Sequence, residues 1–223
     1  MKMKSLINTM FYILIDECSD FDKYQYLLNR LPCSKRQKIG TYRDDIDKKL
    51  SLFSDLLVRS YVCNLLHIDN SELAFAQNPY GKPMLLNYPF VKYNISHTRN
   101  AIIIAFSDDE IGVDIERIRS YDLGIARRFF SQNEYSYILD NNSHNRFVEI
   151  WTRKEAYVKW LGKGLYISLS SFDVFDTEIS KGITTFYIGD YVISVCGIKD
   201  FKSDDVIVMN EEMAKQYIDS SIV

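Results

Sequence analysis

Hydrophobic positions recur along this chain with three different rhythms. Between Asp45 and Leu66, the residues Ile46, Leu50, Phe53, Leu57, Tyr61 and Leu65 return at three- and four-residue steps. That spacing predicts a long amphipathic helix with a buried stripe. Between Ile111 and Glu116 the pattern alternates strictly. Ile111, Val113 and Ile115 fall on one face of a strand, and Gly112, Asp114 and Glu116 fall on the other. Residues 101–106 are apolar throughout, which marks a strand covered on both faces.

The other elements follow from the same patterns and from turn chemistry. Residues 10–15 predict a first strand, and residues 24–31 a short helix that Pro32 ends. Ser34 is placed to cap the next helix, which carries Lys35, Arg36 and Lys38. Residues 72–76 predict a short strand, and Asn78-Pro79-Tyr80-Gly81-Lys82-Pro83 is a turn by composition. A strand over 91–96 runs into His97 and Thr98. Asp108-Asp109-Glu110 interrupts the pattern and places a boundary near Ser107, between halves 1–107 and 108–223. A helix is expected over 123–130. Another runs to Leu139 from Ser131, which makes an S-x-x-E capping box with Glu134. A polar loop over 141–145 precedes a helix over 146–161 that stops at Gly162. Strands follow over 172–175, 184–188, 191–196 and 206–208, joined by turns at Gly182 and Gly189-Asp190, and a helix over 211–218 ends the chain. Together these predict an α+β fold with helices packed on antiparallel sheets. No repeat of residue identities relates the halves.

Composition narrows the function. Of 223 residues 47% are hydrophobic, ample for a core, and 27 Lys and Arg against 30 Asp and Glu leave a net charge of −3. That balance argues against nucleic acid as the main partner. Cys18, Cys33, Cys63 and Cys196 are scattered without a C-x-x-C, and with three histidines they argue against structural zinc and for a reducing cytoplasm. Lys2 and Lys4 before an apolar stretch resemble a leader peptide, but Asn8 and Thr9 interrupt it and no small-x-small cleavage site follows. No segment has the length to span a membrane.

The alternating strand also carries the chemistry. Asp114 and Glu116 on one strand face lie roughly 7 Å apart, and their repulsion is costly unless something positive sits between them. A divalent cation meets that need and leaves room for phosphate oxygens. Gly112 removes a side chain where a ligand could approach. Glu155 and Lys159 share a helix face. If that face meets the strand, three carboxylates and a lysine describe a magnesium site for a phosphorylated substrate. Taken singly, Asp-x-Glu is more often a solvated strand face and Glu-x-x-x-Lys an ordinary helix pair. Lys35 and Lys38 share a face that could grip phosphates or be merely solvated. Lys82 sits in a rigid loop between Gly81 and Pro83. The polar run at 94–98 ends a strand, a usual place for ligand contacts. His97 alone is ordinarily structural, and the capping box already explains Glu134.

Four motifs then stand in order and at matching spacing: Gly81-Lys82-Pro83, Asn94-Ile95-Ser96-His97, Gly112-Val113-Asp114-Ile115-Glu116, and Trp151-x-x-Lys154-Glu155-x-x-x-Lys159. Over residues 24–175 the chain resembles the 4′-phosphopantetheinyl transferases of the surfactin-synthetase-activating (Sfp) type. Each motif alone is weak; the four in register are specific. The length fits this type, a monomer of two pseudo-twofold-related halves, rather than the shorter trimeric type. The resemblance implies Mg²⁺, with Mn²⁺ as the alternative, held by Asp114, Glu116 and Glu155 and bridging the diphosphate of coenzyme A. It implies that Lys159 stabilises or protonates the departing 3′,5′-ADP. Ser96, His97, Lys82, Lys35 and Lys38 match contacts near the 3′-phosphate, and Glu134 matches a position that assists the metal or accepts a proton. The family places a basic residue early in the long helix; here Leu50 stands in that register, after Lys48 and Lys49.

The implied reaction is attack by a carrier-protein serine on the β-phosphorus of coenzyme A, with developing charge spread onto metal and lysines. Glu155 or Glu134 takes the serine proton. The implied partner is an acidic, helical acyl or peptidyl carrier protein of fatty-acid, polyketide or nonribosomal peptide synthesis. Arg127 and Arg128, beside Phe129 and Phe130, are a candidate docking patch. Two other classes suit the carboxylates: a magnesium-dependent phosphohydrolase of a nucleotide diphosphate, and a non-catalytic coenzyme A- or carrier-binding protein. The presence of all three carboxylates with Lys159 argues against the last.

Overall fold

The computed structural model describes residues 7–140, 144–198 and 201–222. The leader-like lysines Lys2 and Lys4, and residues 141–143 of the expected polar loop, lie outside the described residues. Strand β1 (Asn8–Leu14) leads through a 3₁₀ segment, Phe21–Arg30, to helices α1 (Cys33–Gly40) and α2 (Asp45–Leu66). Strands β2 (Phe75–Gln77) and β3 (Pro83–Leu85) form a small hairpin around the 78–82 turn. Then come β4 (Lys92–Thr98), β5 (Ala101–Ser107) and β6 (Ile111–Arg117). Helices α3 (Leu123–Phe129), α4 (Gln132–Leu139), α5 (His144–Leu161) and α6 (Thr177–Ser180) follow. Strands β7 (Ile183–Ile188), β8 (Tyr191–Gly197) and β9 (Val206–Asn210) and helix α7 (Glu211–Ser221) complete the described chain.

Two sheets organise the molecule, with strand orders β4-β5-β1-β9 and β6-β8-β7. The apolar run of β5 explains how they meet. Ile102, Ile104 and Phe106 face a core built with Phe11, Phe53, Leu57 and Ile218. Ile103 and Ala105 point the other way, into a second core shared with Ile111, Val113, Ile115, Ile193 and Val195. A strand buried on both faces thus joins the two sheets, as its continuous apolar sequence demands. A third core lies beneath α3, α4 and α5, around Ala126, Ile138, Phe147 and Val148.

The short helix expected over 24–31 forms as the 3₁₀ segment Phe21–Arg30, which ends before Pro32. Three expectations are corrected. Ser34 lies inside α1, whose N-cap position is Pro32 with no side-chain cap. Residues 172–175 are not a strand, because Asp173 and Val174 are engaged in capping α4: Ser131 Oγ and Asn133 Nδ2 donate to Asp173 Oδ2 at 2.8 and 3.0 Å. The sheets are not wholly antiparallel, because β9 crosses back from the second half and pairs parallel with β1. Helix α7 follows it and buries Ala214 and Ile218 in the first core. No helix among the described residues is long and apolar enough to cross a membrane.

Candidate active site

The site begins where α5 lies on β6. A Cβ on Gly112 would stand 2.1 Å from the Ala156 carbonyl oxygen and 2.3 Å from the Trp160 amide nitrogen. Such contacts are impossible for any side chain, so the glycine exists for the helix, not for a ligand as the sequence suggested. The close approach brings the helix face bearing Glu155 and Lys159 to the strand face bearing Asp114 and Glu116. Lys159 Nζ donates to Asp114 Oδ1 at 2.7 Å.

Strand β4 closes the other side through every second residue. Asn94 Oδ1 accepts from the Val113 amide at 2.9 Å, Ser96 Oγ donates to Asp114 Oδ1 at 2.7 Å, and Thr98 Oγ1 donates to Glu116 Oε2 at 2.8 Å. Lys159 also donates to Ser96 Oγ at 2.8 Å. Sequence reasoning singled out Ser96 but gave no role to Asn94 or Thr98. The signal was present: side chains at 94, 96 and 98 share one face of a strand.

The cluster is short of positive charge. Asp114 is buried, and its Oδ2 has no hydrogen-bond partner. A buried carboxylate oxygen left unsatisfied is costly, and such an atom in a cleft asks for a ligand. Burial raises the pKa of Glu155; the charges of Asp114 and Glu116 add to that, against Lys159. Glu116 is likewise raised, first by burial and then by Asp114, although the Thr98 hydrogen bond opposes it. Among the described residues no group of three His, Cys, Asp or Glu side chains is gathered tightly enough to hold a metal ion as it stands. The donor set nevertheless fits a hard divalent cation: three carboxylates, one with an orphaned oxygen and two resisting ionisation.

The phosphate-side candidates divide. Lys35, Lys38, Leu50 and His97 line one cleft of about 270 Å³ next to β4. Lys35 pairs with Asp55 at 2.8 Å. His97 is exposed at the mouth, yet desolvation by its surroundings, then the Lys159 charge, holds its pKa below the usual histidine range. Neither lysine before Leu50 replaces the expected basic contact. Lys48 pairs with Asp45 at 2.7 Å, and Lys49 is wholly buried, donating to the Asp16 and Ser19 carbonyls.

Two candidates are engaged elsewhere. Lys82 Nζ donates to Glu110 Oε2 at 2.9 Å, to the Ile111 carbonyl at 3.0 Å and to the Trp160 carbonyl at 3.3 Å. All three ammonium N–H groups are thereby used, which leaves none for a phosphate. Glu134 is completely buried. Its oxygens accept from the Ser131 amide and the Val174 amide, both at 2.7 Å, and from Lys154 at 2.8 Å. None of these partners belongs to the Asp114 cluster; they are those of the capping box, the Val174 amide and the buried pair with Lys154. Arg127 and Arg128 are exposed on α3, and the Arg128 guanidinium lies over the Phe129 ring at 5.2 Å.

A buried acidic crossing of strand and helix, with a lysine on it and a cleft lined by Lys35, Lys38 and His97 beside it, is the kind of arrangement expected of an enzyme acting on a phosphate ester. The comparisons with known proteins make this specific. Residues 110–208 match the 4′-phosphopantetheinyl transferase superfamily, and residues 19–109 match its N-terminal region, described as 4′-phosphopantetheinyl transferase, N-terminal. The chain is 32% identical to the 4′-phosphopantetheinyl transferase ffp of Bacillus subtilis, over 90% of this chain and 97% of that protein. It is 31% identical to Sfp of Bacillus subtilis (strain 168) over the same shares, 90% and 97%. It is 35% identical to gsp of Aneurinibacillus migulanus over 73% of this chain and 69% of that one. The chain belongs to the 4′-phosphopantetheinyl transferase superfamily, in its Sfp type.

Proposed function

We propose that this transferase moves 4′-phosphopantetheine from coenzyme A to a serine of an acyl or peptidyl carrier protein, with Mg²⁺ or Mn²⁺ held by Asp114, Glu116 and Glu155. The observation that carries this reading is the orphaned, buried Oδ2 of Asp114 between two carboxyls of raised pKa. When bound, the ion would neutralise the diphosphate and the charge that develops on it. The chain's own residues do the rest. Lys159, fixed by Asp114 and Ser96, presents an ammonium to the departing phosphate. Glu155, whose pKa burial and then the Asp114 charge raise, is the base for the serine hydroxyl. Lys35, Lys38 and His97 receive the 3′-phosphate in their shared cleft. Ser96 acts through Asp114 and Lys159. Arg127 and Arg128 offer positive charge to an acidic carrier. The elements before Ser107 supply the coenzyme A contacts, and β6 and α5 beyond it the metal ligands and the catalytic helix, while β9 and α7 return to complete the first half. The protein works as a monomer in the cytoplasm, where Cys18, Cys33, Cys63 and Cys196 remain free thiols.

The test is intact-mass spectrometry of an apo carrier protein incubated with the chain, coenzyme A and Mg²⁺, with and without EDTA. A metal-dependent gain of one phosphopantetheine is expected. Cleavage of coenzyme A with the carrier unmodified would favour a hydrolase. Binding without either reaction would favour a non-catalytic coenzyme A protein.

A further inference from the structure

Lys82 stands in the first half of the chain, yet everything its ammonium touches bears on the second. Its three acceptors are the Glu110 carboxylate just before β6, the carbonyl of Ile111 at the start of β6, and the carbonyl of Trp160 in the last turn of α5. The side chain is 13% exposed. The loop that carries it is built for this contact. Asn78 Oδ1 accepts from the amides of Tyr80 and Lys82, both at 2.9 Å, and Asn78 Nδ2 donates to the Gly162 carbonyl at 2.7 Å. Gly162 has φ +65°, and a Cβ there would meet Lys82 Cδ at 3.1 Å and Asn78 Nδ2 at 3.2 Å. One turn therefore satisfies carbonyls that the end of α5 leaves open, and places positive charge where the helix dipole favours it. Lys92 Nζ holds the other oxygen of Glu110 at 2.9 Å.

Trp160 directly follows Lys159, and Ile111 stands three residues before Asp114. We propose that Lys82 is a positioning residue: held by Glu110, it clamps the last turn of α5 to the start of β6 and so sets the Lys159–Asp114 contact, rather than gripping coenzyme A. The inference rests on the transferase reading above. An ammonium displaced by a fraction of the distance to its target loses rate without losing substrate affinity.

The test is steady-state transfer to an apo carrier by wild type, Lys82→Met and Glu110→Gln. It is combined with the side-chain ammonium resonance of Lys159, recorded in ¹⁵N-lysine-labelled protein and assigned with Lys159→Met. Lys82→Met should lower kcat about tenfold and Glu110→Gln about threefold, with KM for coenzyme A within about twofold of wild type. The Lys159 resonance should move in both. A tenfold rise in KM for coenzyme A with kcat held would make Lys82 a direct phosphate contact and overturn the clamp. So would unchanged kinetics and an unmoved resonance in both variants. Glu110, half exposed at 51%, tolerates replacement, so its variant decides the matter if Lys82→Met does not fold. Failure of wild type to modify any carrier would overturn the transferase reading instead, and the Lys159 resonance would then judge the clamp alone.

Discussion

Lys154 and Glu155 are consecutive residues of α5 and meet opposite electrostatic surroundings. Lys154 turns into the third core. There it pairs with Glu134 at 2.8 Å, donates to the Leu169 and Phe172 carbonyls at 2.8 and 2.7 Å, and lies 4.2 Å from the centre of the Phe172 ring. Burial still pulls its pKa down, and Glu134 only partly restores it. Both partners are sealed and satisfied. Glu155 turns toward β6, where no described hydrogen bond or ion pair engages it and Asp114 and Glu116 repel it. Satisfied buried charge holds a fold in register; unsatisfied buried charge waits for a ligand. One helix does both, and the change of role falls between adjacent residues.

The contrast can be broken from the sealed side first. Lys154→Met or Glu134→Gln leaves its partner uncompensated in the core, and each should cost about 3–5 kcal/mol in urea unfolding. The double variant should recover part of that loss, because it removes the stranded charge. Additive losses would show that the pair is not coupled. On the open side, Thr98→Val removes the donor to Glu116 Oε2. It should cost about 1–2 kcal/mol of stability and weaken Mg²⁺ activation about tenfold. An unchanged Mg²⁺ dependence would separate Thr98 from the metal site.

The smallest effect has the most telling sign. Glu155 and Glu116 have raised pKa values in the fold, so the folded chain holds protons that the unfolded chain has released. Stability from this source is present below the ordinary glutamate pKa and is lost as pH rises through the raised values. Metal-free wild type should therefore lose Tm over that window. At neutral pH Glu155→Gln should melt about 2–4 °C higher than wild type in EDTA, the shift expected of ~1 kcal/mol in a chain of this size. Excess Mg²⁺ should erase the difference. A lower Tm for Glu155→Gln in EDTA would mean that the carboxylate is a structural group like Glu134.

Much of this was legible in the sequence, for identifiable reasons. The stripe of α2 predicts its bounds, Asp45 and Leu66, because a three-to-four residue period has one structural solution. The strict alternation at 111–116 separates the core face from the acidic face. The Ser131–Glu134 capping box is purely local and forms as expected. What was not legible depends on distant partners. The pairing of β9 with β1 joins segments from opposite ends of the chain and leaves no periodic trace. Two of the three Lys82 partners are backbone carbonyls, which every residue has, so a loop lysine reads alike whether it faces phosphate or clamps a helix. Residues 172–175 have strand-like composition, but Asp173 and Val174 are taken by the end of α4. Glu134 stands where the resemblance puts it, but its hydrogen bonds run to the capping box, the Val174 amide and Lys154 rather than to the Asp114 cluster, which no motif shows.

The most direct test sets the two glutamates side by side. Glu155→Gln and Glu134→Gln, each checked for folded content by circular dichroism, are assayed by intact mass for phosphopantetheine transfer per folded molecule at saturating Mg²⁺. Glu155→Gln should fold and lose transfer by about a thousandfold, as expected when a base and metal ligand is removed. Glu134→Gln should be less stable yet turn over at close to the wild-type rate per folded molecule. A Glu134→Gln chain that folds fully but does not transfer, beside an active Glu155→Gln chain, would contradict the division between sealed and open charge.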